Sequence, residues 1–154
     1  MSVPTMTIAL VREEDLPDLL PLMRAYCDFY DVAPTDEGLL GMAHALLADP
    51  LREGVQLIAR DSETGAPLGF ATIFWSWSTL NAARIATMND LFVAPEARGT
   101  GLADALIGAC RDHAREHGTV WLGWQTAKDN ERAQKVYDRV GGERSEWIDY
   151  GLRP

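Results

Sequence analysis

The chain has very little cysteine: Cys27 and Cys110 alone among 154 residues, far apart and each inside a helix-like apolar pattern. That excludes a disulfide framework and reads as two reduced core thiols in a cytoplasmic protein. Long apolar runs are missing too. No window approaches the roughly 20 residues needed to cross a bilayer, so a membrane partner is not expected. The N-terminal stretch MSVPTMTIALVREEDLP turns acidic almost at once, with no basic region and no small-residue cleavage site, and so reads as carrying no export signal. Basic residues are scarce: Lys and Arg total 14 against 23 Asp and Glu, a net charge of −9. A nucleic-acid backbone demands a basic surface, which argues against that class of partner. Repeats, low-complexity segments and linkers are absent as well, so one domain is expected over residues 1–154.

What is present is unevenly charged. Residues 1–50 hold nine carboxylates against Arg12 and Arg24, a balance of −7, and the rest of the chain carries only −2. Such a bias suits a cationic partner near the first third of the chain; solubility alone is the competing explanation. Along the chain, MTIALV (6–11) has a strand's apolar density. Residues 12–30 place Leu16, Leu19, Leu20, Met23, Tyr26 and Cys27 on one helical face, with Pro21 a candidate kink. A second helix spans 36–50. The period then changes to two over 54–61, 68–77 and 84–93, three antiparallel strands. A helix over 101–117, a strand over 119–126, a helix over 130–140 and a last strand over 145–152 complete the order β-α-α-β-β-β-α-β-α-β. That is an α/β sheet domain.

The segment FVAPEARGTGLADALI (92–107) runs from an apolar strand through a Gly-punctuated turn into a helix. Glycine there costs backbone entropy and adds no packing. Its use is to let successive amide N–H groups converge beside a helix start, whose free donors and partial positive charge favour an anion. Arg98 adds a permanent cation with bidentate geometry for phosphate. By spacing alone, an ordinary Gly-rich turn competes. The segment lacks the Lys-Ser/Thr of a P-loop, and Asp104 stands where a Rossmann pattern has its third Gly or Ala.

Arg98-x-x-Gly101-x-Ala103 after an apolar strand resembles motif A of the GNAT family of N-acetyltransferases. Downstream, WQTAKDNERAQKVYDRVGG (124–142) resembles the same family's motif B, with an Asn cap at Asn130, the small Ala133 and a Tyr, Tyr137, ending the face. The element order agrees over nearly the whole chain. Within the family, MNDLFVAPEARGTGLADAL (88–106) and the tail EWIDYGL (146–152) resemble the diamine (spermidine/spermine) acetyltransferase type. The WxTxxxNxxAQxxY string (124–137) also resembles small yeast enzymes acting on amines and D-amino acids.

The resemblance implies a mixed, largely antiparallel sheet whose fourth and fifth strands splay to admit acetyl-coenzyme A. Main-chain groups of the strand Leu91, Phe92 and Val93 would bond the pantetheine arm. Arg98, Gly99, Thr100, Gly101, Leu102, Ala103 and Asp104 would hold the pyrophosphate, and Asn130, Ala133 and Tyr137 would line the pantetheine end. The implied chemistry is direct transfer of acetyl to a neutral amine, with an oxyanion stabilised by a strand N–H and Tyr137 protonating the leaving thiolate. By helical spacing Tyr137 is equally a core residue, sharing a face with Ala133, Val136 and Val140. The diamine group carries Glu where this chain has Asn89, and an amide cannot act as a base. Asp90, on the opposite face of a regular strand, either binds or deprotonates the ammonium or merely pairs with Arg84.

Tyr26, Asp28, Tyr30 and Asp31 cluster at the break between the first two helices, where carboxylates and aromatic faces suit an ammonium. With Asn89, Asp90 and Trp124 they form the expected acceptor site; a solvated acidic helix end is the plain alternative. Trp75 and Trp77 read as core or dimer contacts. His113 and His117 have metal-ligand spacing but no evident third ligand, so no metal is expected. Lys128, Arg132 and Lys135 either meet the coenzyme's phosphates or form a solvated face. The expectation is an acetyl-coenzyme A-dependent N-acetyltransferase for a small, polyamine-like cationic amine, working as a homodimer. The alternatives are an amino-acid, aminoglycoside or protein-amine acceptor, and a non-catalytic acyl-coenzyme A sensor.

Overall fold

The computed structural model describes residues 5–154; the first four residues, part of the stretch read for an export signal, lie outside them. Five strands form one sheet in sequential order: β1 (Met6–Leu10), β2 (Gly54–Asp61), β3 (Pro67–Ser78), β4 (Ala83–Val93) and β5 (Leu122–Gly123). The first four pair antiparallel, and β5 pairs with β4 in parallel. The helices are α1 (Leu16–Phe29), α2 (Asp36–Ala48), α3 (Leu102–Glu116) and α4 (Glu131–Arg139).

Because strand side chains alternate, the sheet feeds two cores. On one face Ile58, Phe70 and Phe92 meet Leu16, Leu19, Leu22 and Met23 of α1 and Ala43 of α2. On the other, Leu57, Ala71, Ile73 and Met88 meet Leu102, Leu106 and Cys110 of α3, and Val136 and Tyr137 of α4, with Val140 just past its end, pack at the edge of that cluster. Helix α1 runs through Pro21 after a 3-10 turn at Glu13–Asp15. Side-chain oxygens cap two of the helices. Thr35 accepts the Gly38 amide at 3.0 Å for α2, and Asn130 accepts that of Ala133 at 3.1 Å for α4.

Two sequence expectations change here. The strand expected over 119–126 shrinks to Leu122–Gly123, and the strand expected over 145–152 does not form. Both failures have one cause. A strand needs a partner of comparable length, and two paired positions, Ala86↔Leu122 and Thr87↔Gly123, are all that β5 provides. The terminal segment therefore joins no strand of the sheet, and Trp147 and Tyr150 are exposed.

The third departure is inside β4. Thr72 faces Asp90 and Ile73 faces Met88, so Asn89 has no partner in β3. This extra residue is a β-bulge, and it shifts the alternation of the strand. Asn89 and Asp90 are not on opposite faces as a regular strand would place them. Instead the Asn89 side-chain amide donates to Asp90 Oδ1 at 3.0 Å.

Candidate functional site

The site grows from the parting of β4 and β5. Past Thr87, β4 continues to Val93 with no partner on that side. Ala94 N–H donates to Leu68 C=O at 2.8 Å. The alternation of an antiparallel ladder then turns the main-chain groups of Leu91 and Val93 away from β3 and toward the gap. Phe92, one residue between them, points its ring into the α1 core. Val93 C=O already accepts from Arg98 Nε at 3.3 Å.

Beyond the strand, a 3-10 turn at Pro95–Ala97 leads to Gly99 and Gly101, whose φ values are 76° and 84°. An L-side chain is strained there, which accounts for both glycines. A Cβ at either position would enter open space, so the turn presents an uncovered backbone surface. Among the described residues, no amide from Gly99 to Asp104 has a main-chain acceptor; Ala105 is the first, bonding Gly101 C=O at 3.1 Å. The Thr100 hydroxyl donates to Ala97 C=O and so fixes the turn. Leu102 is buried beneath it. Arg98 forms no ion pair among the described residues. Asp104, an anion at an anion-attracting helix start, is held by Arg139 through bonds of 3.0 and 2.6 Å, which keep its carboxyl below the usual range. Free amides, open glycines, an unpaired guanidinium and a parted strand edge together fit a diphosphate carried on an extended arm.

On the far side of the gap a cleft of about 610 Å³ is lined by Tyr26, Tyr30, Asn89, Trp124, Gln125 and Asp149, with Thr87 and Met88 from β4. Behind it runs a buried polar chain. Gln56 Nε2 donates to Thr72 Oγ1 at 3.1 Å, both side chains being buried. Thr72 and Asn89 bond the carboxylate of Asp90, as does the Tyr26 hydroxyl, which also lies 3.4 Å from Asn89 C=O. Burial nevertheless dominates and raises the Asp90 carboxyl above its ordinary value. No cation pairs with it among the described residues. Arg84, its proposed partner, lies over the Trp77 ring at 5.1 Å instead. Burial and the neighbouring Asp90 raise the Tyr26 phenol as well.

Trp124 and Tyr137 meet edge to face, ring centroids 5.4 Å apart. Burial, then the nearby Tyr30, raises the Tyr137 phenol and keeps it protonated. Asn130 opens α4 and Ala133 follows on its first turn, both half-buried. Of the residues expected at an acceptor site, Tyr26, Tyr30, Asn89, Asp90 and Trp124 come together. Asp28 and Asp31 are exposed outside the cleft. Gln125 and Asp149 were not foreseen, since Asp149 sits in the segment read as a strand. Thr72 and Gln56 were not foreseen either; polar residues in an otherwise apolar strand pattern were their only signal.

The other candidates fall elsewhere. Trp75 is buried, bonds Pro50 C=O at 2.8 Å and stacks on His117 at 3.9 Å, whereas Trp77 is exposed. His113 is 4.0 Å from Glu116, and among the described residues no group of three or more His, Cys, Asp or Glu is placed to hold a metal. Lys128, Arg132 and Lys135 are exposed. No helix among the described residues is long and apolar enough to cross a membrane.

A family model described as the acetyltransferase (GNAT) family matches residues 20–142, a span that holds the glycine turn, the parted strand and α4. The chain belongs to this family. This GNAT protein is 33% identical over 138 residues, 90% of each chain, to an uncharacterized N-acetyltransferase, YhfO, of Bacillus subtilis (strain 168). It is 34% identical over 96 residues to the D-amino-acid N-acetyltransferase HPA3 of Saccharomyces cerevisiae, 62% of this chain and 60% of that one. Among solved structures, a probable acetyltransferase superposes with a TM-score of 0.84 at 34% identity, covering 96% of this chain and 97% of the other. The GNAT protein is an N-acetyltransferase whose acyl donor is acetyl-coenzyme A.

Proposed function

We propose that this enzyme acetylates the primary amine of a small acceptor carrying more than one positive charge, of the polyamine kind. The observation that carries this is the make-up of the acceptor cleft. Asp149 contributes a carboxylate, Tyr26, Tyr30 and Trp124 contribute aromatic rings, and no Lys or Arg lines it. Rings and a carboxylate attract an ammonium. An amino-acid acceptor brings a carboxylate of its own, and this cleft offers that group repulsion in place of a clamp. The D-amino-acid specificity of the yeast relative is therefore not the reading favoured.

Acetyl-coenzyme A supplies the thioester. The open amides from Gly99 to Asp104 and the Arg98 guanidinium would hold its diphosphate, and the main-chain groups of Leu91 with the N–H of Val93 its pantetheine arm, with Asn130 and Ala133 near the arm's end. An alkylammonium near pKa ~10.4 is almost wholly protonated at neutral pH, so a base must act first. Asp90 is that base, directly or through water, its raised carboxyl lying nearer neutrality than a solvated one. The strand N–H groups freed where β4 leaves β5 face the charge that develops on the carbonyl oxygen. Tyr137, kept protonated by burial, donates to the departing sulfur. The buried free thiols of Cys27 and Cys110 support a reducing, cytoplasmic setting.

A thiol-release assay over a panel of amines tests the acceptor class. Diamines and polyamines are expected to give higher kcat/KM than monoamines and amino acids. A preference for amino acids would overturn the proposal.

A further inference from the structure

Asp90 is 9% exposed and does not belong to the described residues that line the cleft, so an acceptor's proton has to cross another group to reach it. The carboxylate ends a polar row that runs across three strands on the α1 side of the sheet. Gln56 of β2 faces Thr72 of β3, and Thr72 faces Asp90 of β4. The row fixes which way each hydrogen points. An amide nitrogen only donates, and Gln56 Nε2 donates to Thr72 Oγ1 at 3.1 Å. The Thr72 hydrogen is thereby left for the carboxylate. Asn89, the bulged residue, donates its side-chain amide to Oδ1 at 3.0 Å. The third partner is the Tyr26 hydroxyl, brought over from α1.

These three partners differ in what they can carry. Thr72 is wholly buried and has no access to the cleft. The Asn89 side chain reaches the carboxylate through its amide nitrogen, which cannot accept a proton. Tyr26 lines the cleft and touches Asp90 as well, and a phenol oxygen accepts and donates at once. Its ring is set edge to face against Phe70 and Tyr30, with centroids 5.9 and 5.1 Å away. Its oxygen is also 3.4 Å from Asn89 C=O. The hydroxyl thus stands between the cleft and the buried carboxylate.

We propose that Tyr26 is a catalytic residue whose hydroxyl relays the acceptor's proton from the cleft to Asp90. This rests on the reading of Asp90 as the base and names the group through which it acts. In the step, an ammonium N–H bond breaks and its electron pair stays on nitrogen. The proton forms a new O–H bond on Tyr26 as the phenol's own proton passes to a carboxylate oxygen of Asp90. Ammonium and carboxylate become amine and carboxylic acid, and Tyr26 is neutral before and after. Burial and the adjacent Asp90 hold the phenol's proton tightly, so a free phenolate is not the base and the two transfers are concerted. The other titratable groups facing the pair are the Cys27 thiol on α1, the Tyr30 phenol at its end and the Tyr137 phenol on α4. Burial raises Cys27 and Tyr137 alike, so neither gives the rate an acid limb. Asp149 is the carboxylate of the cleft lining itself, bonded by Gln125.

The test is Tyr26→Phe, which keeps the ring and removes the hydroxyl, assayed with whichever amine of the panel turns over fastest. We expect kcat to fall about 10²-fold, with amine KM, circular dichroism and acetyl-coenzyme A affinity nearly unchanged. The acid limb of the pH profile should disappear, as in Asp90→Asn. Two groups in series also predict that Tyr26→Phe/Asp90→Asn is no slower than the slower single variant. A Tyr26→Phe enzyme with wild-type kcat and acid limb overturns the relay and leaves Asp90 as base. A rise in amine KM alone, or losses that multiply in the double variant, would likewise overturn it. If Asp90→Asn keeps both rate and limb, the reading of Asp90 as base falls and takes the relay with it. Should Tyr26→Phe fail to fold, single-turnover rates of the wild type in mixtures of H2O and D2O decide. A curved dependence on deuterium fraction supports two protons moving together, and a straight line refutes it.

Discussion

Asp90 is buried without a cationic partner, and two of its properties follow from that. Its carboxyl is raised mainly by desolvation, so the folded state binds the proton more tightly than the unfolded chain. Stability is thus greatest below the ordinary carboxylate value, falls as pH climbs from there through the raised value, and is flat above. At neutral pH Asp90→Asn should raise Tm, measured by calorimetry, while lowering kcat/KM for the amine by about 10²-fold or more. Gain in one and loss in the other is the mark of a charge kept for chemistry. The pH profile adds a second readout. Wild-type kcat/KM should fall on the acid side as Asp90 gains a proton, and in the Asn variant that limb should vanish. Thr72→Val removes a bond to the carboxylate and leaves Gln56 Nε2 only the Met23 sulfur at 3.6 Å, so the limb should move to higher pH, with about 1–3 kcal/mol of stability lost for the poorly satisfied buried amide. Tyr137→Phe should lower kcat with little change in acetyl-coenzyme A affinity by titration calorimetry; equal loss of both would leave Tyr137 a packing residue.

Among the elements, the turn before α3 carries the clearest expectation. Gly101→Ala meets no steric obstacle, but it places a Cβ at φ 84°. The expected loss is about 1–2 kcal/mol in chemical denaturation, together with weaker coenzyme binding. Arg139→Ala should weaken coenzyme binding too, because it leaves the Asp104 carboxylate unpaired beside the amides. That effect should shrink in high salt. This turn was legible in the sequence because its residues act locally: glycine spacing, Arg98 and the following apolar period need no distant partner to be interpreted. The helix cap at Asn130 was legible for the same reason, whereas the cap at Thr35 was passed over as part of the break between the first two helices. The bulge at Asn89 was not, since an unpaired strand residue is defined by the strand opposite. Nor was the short β5, whose length depends on neighbours. The period-two pattern of 145–152 is real, yet it found no strand to join in a single chain. Tyr26, Asn89 and Trp124 could be nominated singly, but their convergence on one cleft, with Asp90 buried behind it, needed the sheet, and Asp149 entered it from the segment misread as a strand.

Taken whole, the molecule pairs a net charge of −9 with a cleft, the proposed acceptor site, that has no Lys or Arg in its lining. Long-range attraction should help deliver a multiply charged amine, and salt should screen it. The acceptor KM is therefore expected to rise as potassium chloride goes from low to high concentration, more steeply for a triamine than for a monoamine. Acetyl-coenzyme A, itself an anion, should show the opposite tendency away from its turn, with binding that improves modestly as repulsion is screened. Stopped-flow or steady-state measurements across ionic strength separate the two.

The unpaired residue in β4 bears on how such an enzyme diversifies. Excising Asn89 would let β4 run in regular register with Thr72 still facing Asp90 and Ile73 still facing Met88, so the alternation on both sides of the excision would be kept. Asp90 would stay beside Thr72 and lose only the side-chain amide that donates to its Oδ1. A lineage can thus strip a hydrogen bond from this buried carboxylate by a single-codon deletion without relocating the carboxylate itself.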